Sequence, residues 1–245
     1  MTSPARIPTF EVRHVQLARA AFAAIAAVMI TFSPDHSALI GTTVFSGFAV
    51  ATAMVFLLSV WLVYPAGARW PSVLLGIATL VAGMVGSIAP ARTAVGYLVL
   101  VITWAVITGL IEMLAGARAL RNARKPGTAP TIGGVEQRVA PAAALAAQHP
   151  AAKSEARDGV VIGALTLMLA AALLFVRPEF ALNYTIDQAG ETFTLTGIVV
   201  GVGIFGAYAA IVAVYLAIAG FSPRATAPTT TEAAESSPLE QKDPA

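Results

Sequence analysis

Ionisable side chains are scarce where this 245-residue chain could build an active site. Glu112 stands inside a long apolar run, Thr93–Ala117, with Thr108 one helical turn before it. The one other charge inside an apolar run is Arg19. A buried carboxylate of this kind can serve as an ion-pair partner, a proton site or a general base. Thr108 with Glu112 is the single arguable nucleophile–base pair, since Ser46 and Ser59 have no base near them in sequence. His14, His36 and His149 lie outside every apolar run, and no run holds His, Cys or Asp, so an intramembrane metal site has no ligand set. With no cysteine, disulfides and thiol chemistry are excluded. The reading is therefore a protein that is not an enzyme, with no catalytic, cofactor-binding or metal residues. Its candidate polar site is Glu112, Arg19 and Thr108.

The elements that must position this site are unusually apolar. Hydrophobic residues make up 57% of the chain and charged residues 11%, against about 25% charged in a soluble domain. Six runs carry the apolar residues: 17–32, 37–64, 70–89, 93–117, 159–176 and 194–220. Crossing about 30 Å of hydrocarbon takes roughly 17–25 helical residues, so each run is about the length of one span. A membrane β-barrel would instead alternate apolar and polar residues. The predicted fold class is all-α: a polytopic membrane protein with six transmembrane helices arranged as three helical hairpins. A disordered cytoplasmic linker (118–158) and tail (221–245) complete it.

Positive charge sets the orientation. Arg6, Arg13 and Arg19, Arg69, the cluster from Arg118 to Arg157, and Arg224 and Lys242 all fall on one side of a six-span layout. Only Arg92 and Arg177 fall on the other. Cytoplasmic loops retain Lys and Arg, which predicts a plasma (inner) membrane protein with both termini in the cytoplasm. Topology thus accounts for the sequence pI of about 9.2, and no nucleic-acid partner is expected. The layout is an N-terminal segment 1–14, two hairpins over 15–117, the linker, and a third hairpin over 159–220. Its outer loop is 177–193, and the tail follows. Trp61, Tyr64, Trp70 and Tyr97 are placed as interface anchors. The first run precedes no small-x-small cleavage site, so it is read as an uncleaved helix turning tightly through Ser33–His36.

Each short run ends near a proline, Pro34, Pro90 or Pro178, and each long run carries a Phe45-Ser46-Gly47-like step, repeated at Ile107-Thr108-Gly109 and Ile204-Phe205-Gly206. This reads as a degenerate threefold hairpin repeat. Small residues at Gly47, Gly76, Gly83, Gly86, Gly159, Gly163, Gly197, Gly201 and Gly206 are expected to let helices approach closely. Within the last outer loop, Tyr184–Asp187 and Thr192–Leu195 alternate around a polar turn and predict a small β-hairpin. Glu112 lies about 7–8 Å inside the cytoplasmic boundary. It shares a stripe with Ala105, Gly109 and Gly116, and Arg19 sits at a similar depth. Three readings stay open: an Arg19–Glu112 structural pair, a Glu112 that reaches the interface, or a functional proton site.

The stretch Thr103–Arg118, with Trp104, Gly109 and Arg118 at its fixed points, resembles the HdeD family of bacterial inner-membrane proteins. The second hairpin, Trp70–Arg121, is the most similar part, and the outline extends over about Arg13–Ser222 without the linker. The resemblance implies six helices, no established enzymatic activity, and an association with acid resistance. The long linker, acidic tail and enlarged last loop depart from the family. They put an identical role in doubt and suggest an added partner-binding function. The leading expectation is a non-enzymatic membrane protein acting in envelope or acid stress. Alternatives are a small proton-coupled transporter using Glu112, or a scaffold recruiting a cytoplasmic protein through linker or tail. The expected partners are the lipid bilayer, further copies of the chain, and such a cytoplasmic protein.

Overall fold

The computed structural model describes residues 10–64, 69–124, 139–186 and 191–222. Six helices and one two-stranded hairpin appear among them. The helices are α1 (Val12–Thr31), α2 (Ala38–Leu62), α3 (Trp70–Gly86), α4 (Ala94–Arg124), α5 (Val139–Leu174) and α6 (Gly197–Phe221). Strands β1 (Ala181–Ile186) and β2 (Glu191–Thr196) pair antiparallel between α5 and α6, with Tyr184 opposite Phe193 and Thr185 opposite Thr192. The alternating pattern therefore folds as a hairpin, each strand two residues longer than its strongest signal, with β1 starting three residues earlier; Asp187 lies outside the described residues.

Local chemistry sets the helix ends. Glu11 and His14 close a capping box at the start of α1, where the Glu11 amide donates to His14 Nδ1 at 3.0 Å. Ser37 caps α2 by accepting from the Ile40 amide, and Asp35 fixes Ser37 in turn. These bonds make the predicted tight turn between the first two helices. Thr93 accepts from the Gly96 amide at the start of α4. Helix α3 is only 17 residues long and stops before the expected Ala89. The chain becomes extended at Ile88 and then makes a single 3-10 turn, Ala89–Arg92, with Pro90 in its first positions, where a missing N–H costs no helical hydrogen bond. Ser87 and Arg92 bind the freed carbonyls of Gly83 and Ser87. The other five helices contain spans of 20–29 residues that are long and apolar enough to cross a membrane.

The helices form a closed ring in chain order, with α6 returning to α1, and α2, α4 and α6 also meet in the middle. At their meeting point the rings of Phe45, Phe48, Trp104, Phe205 and Tyr208 pack mostly edge to face, with centroids 5.2–6.3 Å apart. The tightest neighbours are α2–α3, α4–α5 and α1–α6, rather than the pairs α1–α2, α3–α4 and α5–α6 that the hairpin reading singles out. Small residues explain which pairs close up. A Cβ on Gly163 would lie 2.5 Å from the Met113 amide nitrogen and 2.7 Å from the Gly109 carbonyl. Gly83 likewise abuts Val50, Gly76 abuts Leu57, and Gly206 abuts Ile30. In lipid, such close backbone approach drives association, because hiding Leu from hydrocarbon gains little. Gly47 is an exception, with open space around it.

Outside, the ring presents an aliphatic girdle that includes Val28, Met84, Val99, Met168 and Ile218, each more than half exposed. An apolar surface of this extent does not face water. Trp61 and Trp70 project outward as expected, and the Arg118 guanidinium lies 5.8 Å from the Trp70 ring centroid. Tyr97 does not: it is fully buried against Gly41 and Gly201, which leave space for its ring. The segment expected as a disordered linker is entered by helix from both sides, through Arg124 and from Val139. Its alanine-rich composition, which suggested a flexible chain, is also the best helix-forming composition. Residues 125–138 and, in the tail, 223–245 lie outside the described residues.

Candidate functional site

The site grows from two helices that start far apart in sequence. Arg19, two turns into α1, and Glu112, in the second half of α4, meet as a salt bridge with Nη2 2.6 Å from Oε1. The side chains are 16% and 7% exposed, so the pair is largely enclosed by the bundle and only slightly screened by bulk water. The Arg19 guanidinium also lies over the Phe56 ring, 4.5 Å from its centroid. The contact is the one that the first of the three readings expects.

All six helices contribute to a cavity of about 20 Å³ beside the pair. A cavity of this size has room for one water. Each of α2, α3, α4 and α5 supplies one threonine: Thr52, Thr79, Thr108 and Thr166. From α6 comes Tyr208. Three of these threonines are spoken for. Trp104 Nε1 donates to Thr79 Oγ1 at 3.3 Å, Thr108 Oγ1 donates to the Trp104 carbonyl at 2.7 Å, and Thr166 Oγ1 donates to the Ile162 carbonyl at 2.8 Å. The Tyr208 hydroxyl lies 2.9 Å from Thr166 Oγ1, whose proton is already committed, so Tyr208 is the donor there. The Thr52 hydroxyl is buried and has no partner. Thr108 thus lines the same cavity as Glu112, and its hydroxyl donates to its own helix rather than to that carboxylate.

A polar layer continues toward the end of the bundle where α1 and α3 begin and α2 ends. Gln16 Nε2 donates to Asp158 Oδ2 at 2.9 Å, and the Tyr215 hydroxyl donates to Asp158 Oδ1 at 3.0 Å. The Tyr64 hydroxyl donates to Glu155 Oε1 at 2.8 Å. Burial, reinforced by the Glu155 carboxylate, pushes the Tyr64 phenol well above its ordinary range, while the nearby Arg19 charge opposes the shift. These contacts tie the middle of α5 to α1, α6 and the chain after α2. Sequence reasoning missed Glu155 and Asp158 because they fall in a segment whose composition reads as solvated linker. It also missed Thr52, Thr79, Thr166 and Tyr208. Their available signal is a hydroxyl-bearing residue in each of these spans, which is not selective, because α2, α3, α4 and α6 carry other hydroxyl-bearing residues as well.

Among the described residues, no group of three or more His, Cys, Asp or Glu is placed to hold a metal ion. The apolar girdle, the spanning helices and the internal ion pair define a multi-pass membrane protein. No protein-family model, curated protein or solved structure matches the chain.

Proposed function

We propose that this chain is a non-enzymatic protein of the bacterial inner membrane, similar in kind to the HdeD family, acting in envelope or acid stress. In this reading its bundle is three helical hairpins with both termini in the cytoplasm, and Arg19–Glu112 is the clasp that holds it closed. The observation carrying the clasp is the enclosed 2.6 Å ion pair beside a cavity with room for one water. A transporter needs a larger polar chamber near the midplane, usually framed by broken helices. Here the intramembrane helices run unbroken, and the carboxylate is already engaged by a cation. The threefold inner contact of α2, α4 and α6 supports the repeat reading. The stress role draws on the resemblance of Thr103–Arg118 alone. The scaffold alternative depends on residues 125–138 and 223–245.

The test is acid survival of the source bacterium after deletion of the gene, with complementation by wild type and by Glu112→Gln. Loss of survival on deletion, restored by wild type, supports the stress role. Unchanged survival on deletion overturns it. If Glu112→Gln restores survival as wild type does, Glu112 is structural in that role. If only wild type restores survival, and the variant protein reaches the membrane in equal amount, the carboxylate acts in the response itself.

A further inference from the structure

The lining of the Arg19–Glu112 cavity is rich in donors and poor in acceptors. A guanidinium carries five N–H donors in a fixed fork, and Arg19 spends one contact on Glu112. Its face is covered by the Phe56 ring, which accepts no proton. Thr52, which lines the same cavity and is 4% exposed, has a hydroxyl with no partner. The hydroxyls of Thr108, Thr166 and Tyr208 are engaged as described above. Among the described residues lining the cavity, Glu112 is the only acid and Arg19 the only base, so each charge balances the other. Neutralising that carboxylate leaves Arg19 uncompensated inside the bundle, which is expensive in a low-dielectric surround. The empty volume beside it is of the right order for one small ion.

We propose that this cavity is a proton-linked binding site for a small monovalent anion, occupied when Glu112 is neutral and held by the Arg19 guanidinium and the Thr52 hydroxyl. The balance is one proton added to the Glu112 carboxylate and one anion taken up beside Arg19, so the net charge within the bundle does not change. With Glu112 ionised, the carboxylate itself fills the anion's role beside Arg19, and its charge repels a second anion from the cavity. The groups facing Glu112 bear this out element by element. Helix α1 brings Arg19 and α6 brings Tyr208, while α2, α3 and α5 bring Thr52, Thr79 and Thr166 but no acid or base to the lining. The acids Glu155 and Asp158 on α5 are held by Tyr64, Gln16 and Tyr215. The inference is independent of any stress role.

Chloride is the probe. The full-length protein in detergent is melted, followed by tryptophan fluorescence, in sodium chloride against sodium gluconate at constant ionic strength. Wild type, Glu112→Gln and Thr52→Val are compared at pH 7.5 and pH 4.5. For wild type, chloride is expected to raise the melting midpoint at pH 4.5, with an apparent Kd at least tenfold tighter than at pH 7.5. Glu112→Gln, which mimics the neutral carboxylate, is expected to gain from chloride at both pH values. Thr52→Val is expected to weaken the acid-pH chloride Kd of wild type at least fivefold. A wild-type Kd that differs less than twofold between the two pH values overturns the proton linkage. A chloride effect on wild type at pH 4.5 that is untouched by Thr52→Val overturns the location. A folded Glu112→Gln that responds equally to chloride and gluconate overturns the site. If Glu112→Gln does not fold, the wild-type and Thr52→Val arms still decide.

Discussion

Arg19→Met is the most direct probe of the clasp. It keeps an unbranched apolar stem and deletes the charge, which leaves the Glu112 carboxylate, 7% exposed, without a cation. Removing one partner of a buried pair costs about 3–5 kcal/mol, because the remaining charge stays desolvated. Arg19 is 16% exposed, so slight screening places the expected loss near the lower bound, about 3 kcal/mol. The lost contact with Phe56 adds roughly 0.5–1 kcal/mol, partly returned by methionine packing on the same ring. The double variant Arg19→Met/Glu112→Leu removes both charges and fills their space with apolar atoms. Such replacements are often neutral or stabilising by about 1–4 kcal/mol. The double variant is therefore expected to recover at least 2 kcal/mol over Arg19→Met, the opposite of additive behaviour. Reversible unfolding in mixed micelles, with increasing denaturing detergent, measures all three proteins. The reasoning is refuted if Arg19→Met loses less than about 1 kcal/mol, or if the double variant is as unstable as the summed single variants.

Further outcomes follow from packing, hydrogen bonding and topology. Gly163→Val drives a side chain into the Met113 amide and the Gly109 carbonyl, and overpacking of this kind costs about 1–3 kcal/mol or more. Gly47→Ala has open space and is expected to be neutral or to stabilise by up to about 1 kcal/mol, so the two midpoints should separate clearly in one thermal-melt series. Tyr64→Phe deletes a hydrogen bond to a carboxylate and should cost about 1.5–3 kcal/mol near neutral pH. Because the folded state holds the Tyr64 proton more tightly than the unfolded chain does, its contribution is full below the ordinary phenol value of about 10 and is lost as pH rises beyond it. The alkaline decline in wild-type stability should therefore be shallower in Tyr64→Phe. The chain has no cysteine, so single introduced cysteines report topology without background. Cysteines replacing Ser154 and Ser222 should be labelled by an impermeant reagent from the same side of the membrane, and one replacing Thr185 from the other.

Hydropathy made the helices legible because a bilayer leaves the backbone few choices. With no water to satisfy N–H and C=O groups, an apolar run of sufficient length must be helical. The same logic failed at the ends of the fourth and fifth helices, where the bilayer no longer dictates the outcome and intrinsic propensity takes over. Arg118–Arg124 and the stretch before Gly159 look solvated by composition, yet alanine favours helix and Asp158 has polar partners waiting on α1 and α6. Tyr97 shows another limit. A tyrosine near a helix start suits the interface, and only the neighbouring Gly41 and Gly201, both distant in sequence, reveal a slot that takes its ring inward.

Helix pairing was less legible than helix existence, for a related reason. The small residues were visible, and most of them do pack against other helices, but a glycine stripe states only that some backbone comes close. Which one depends on the face opposite: Val50 for Gly83, Ile30 for Gly206, and Gly109 with Met113 for Gly163. The ion pair was legible because charge is a far more selective label than smallness. Two opposite charges at similar depth have few ways to avoid a large desolvation cost, and meeting across 93 residues of sequence is the cheapest of them. The threonines around the pair carry no such label, since a hydroxyl can bond back to its own helix, as Thr108 and Thr166 do. Only the geometry separates Thr52, whose hydroxyl has no such bond, from the others. That difference is what turns a closed polar layer into a cavity able to hold a ligand.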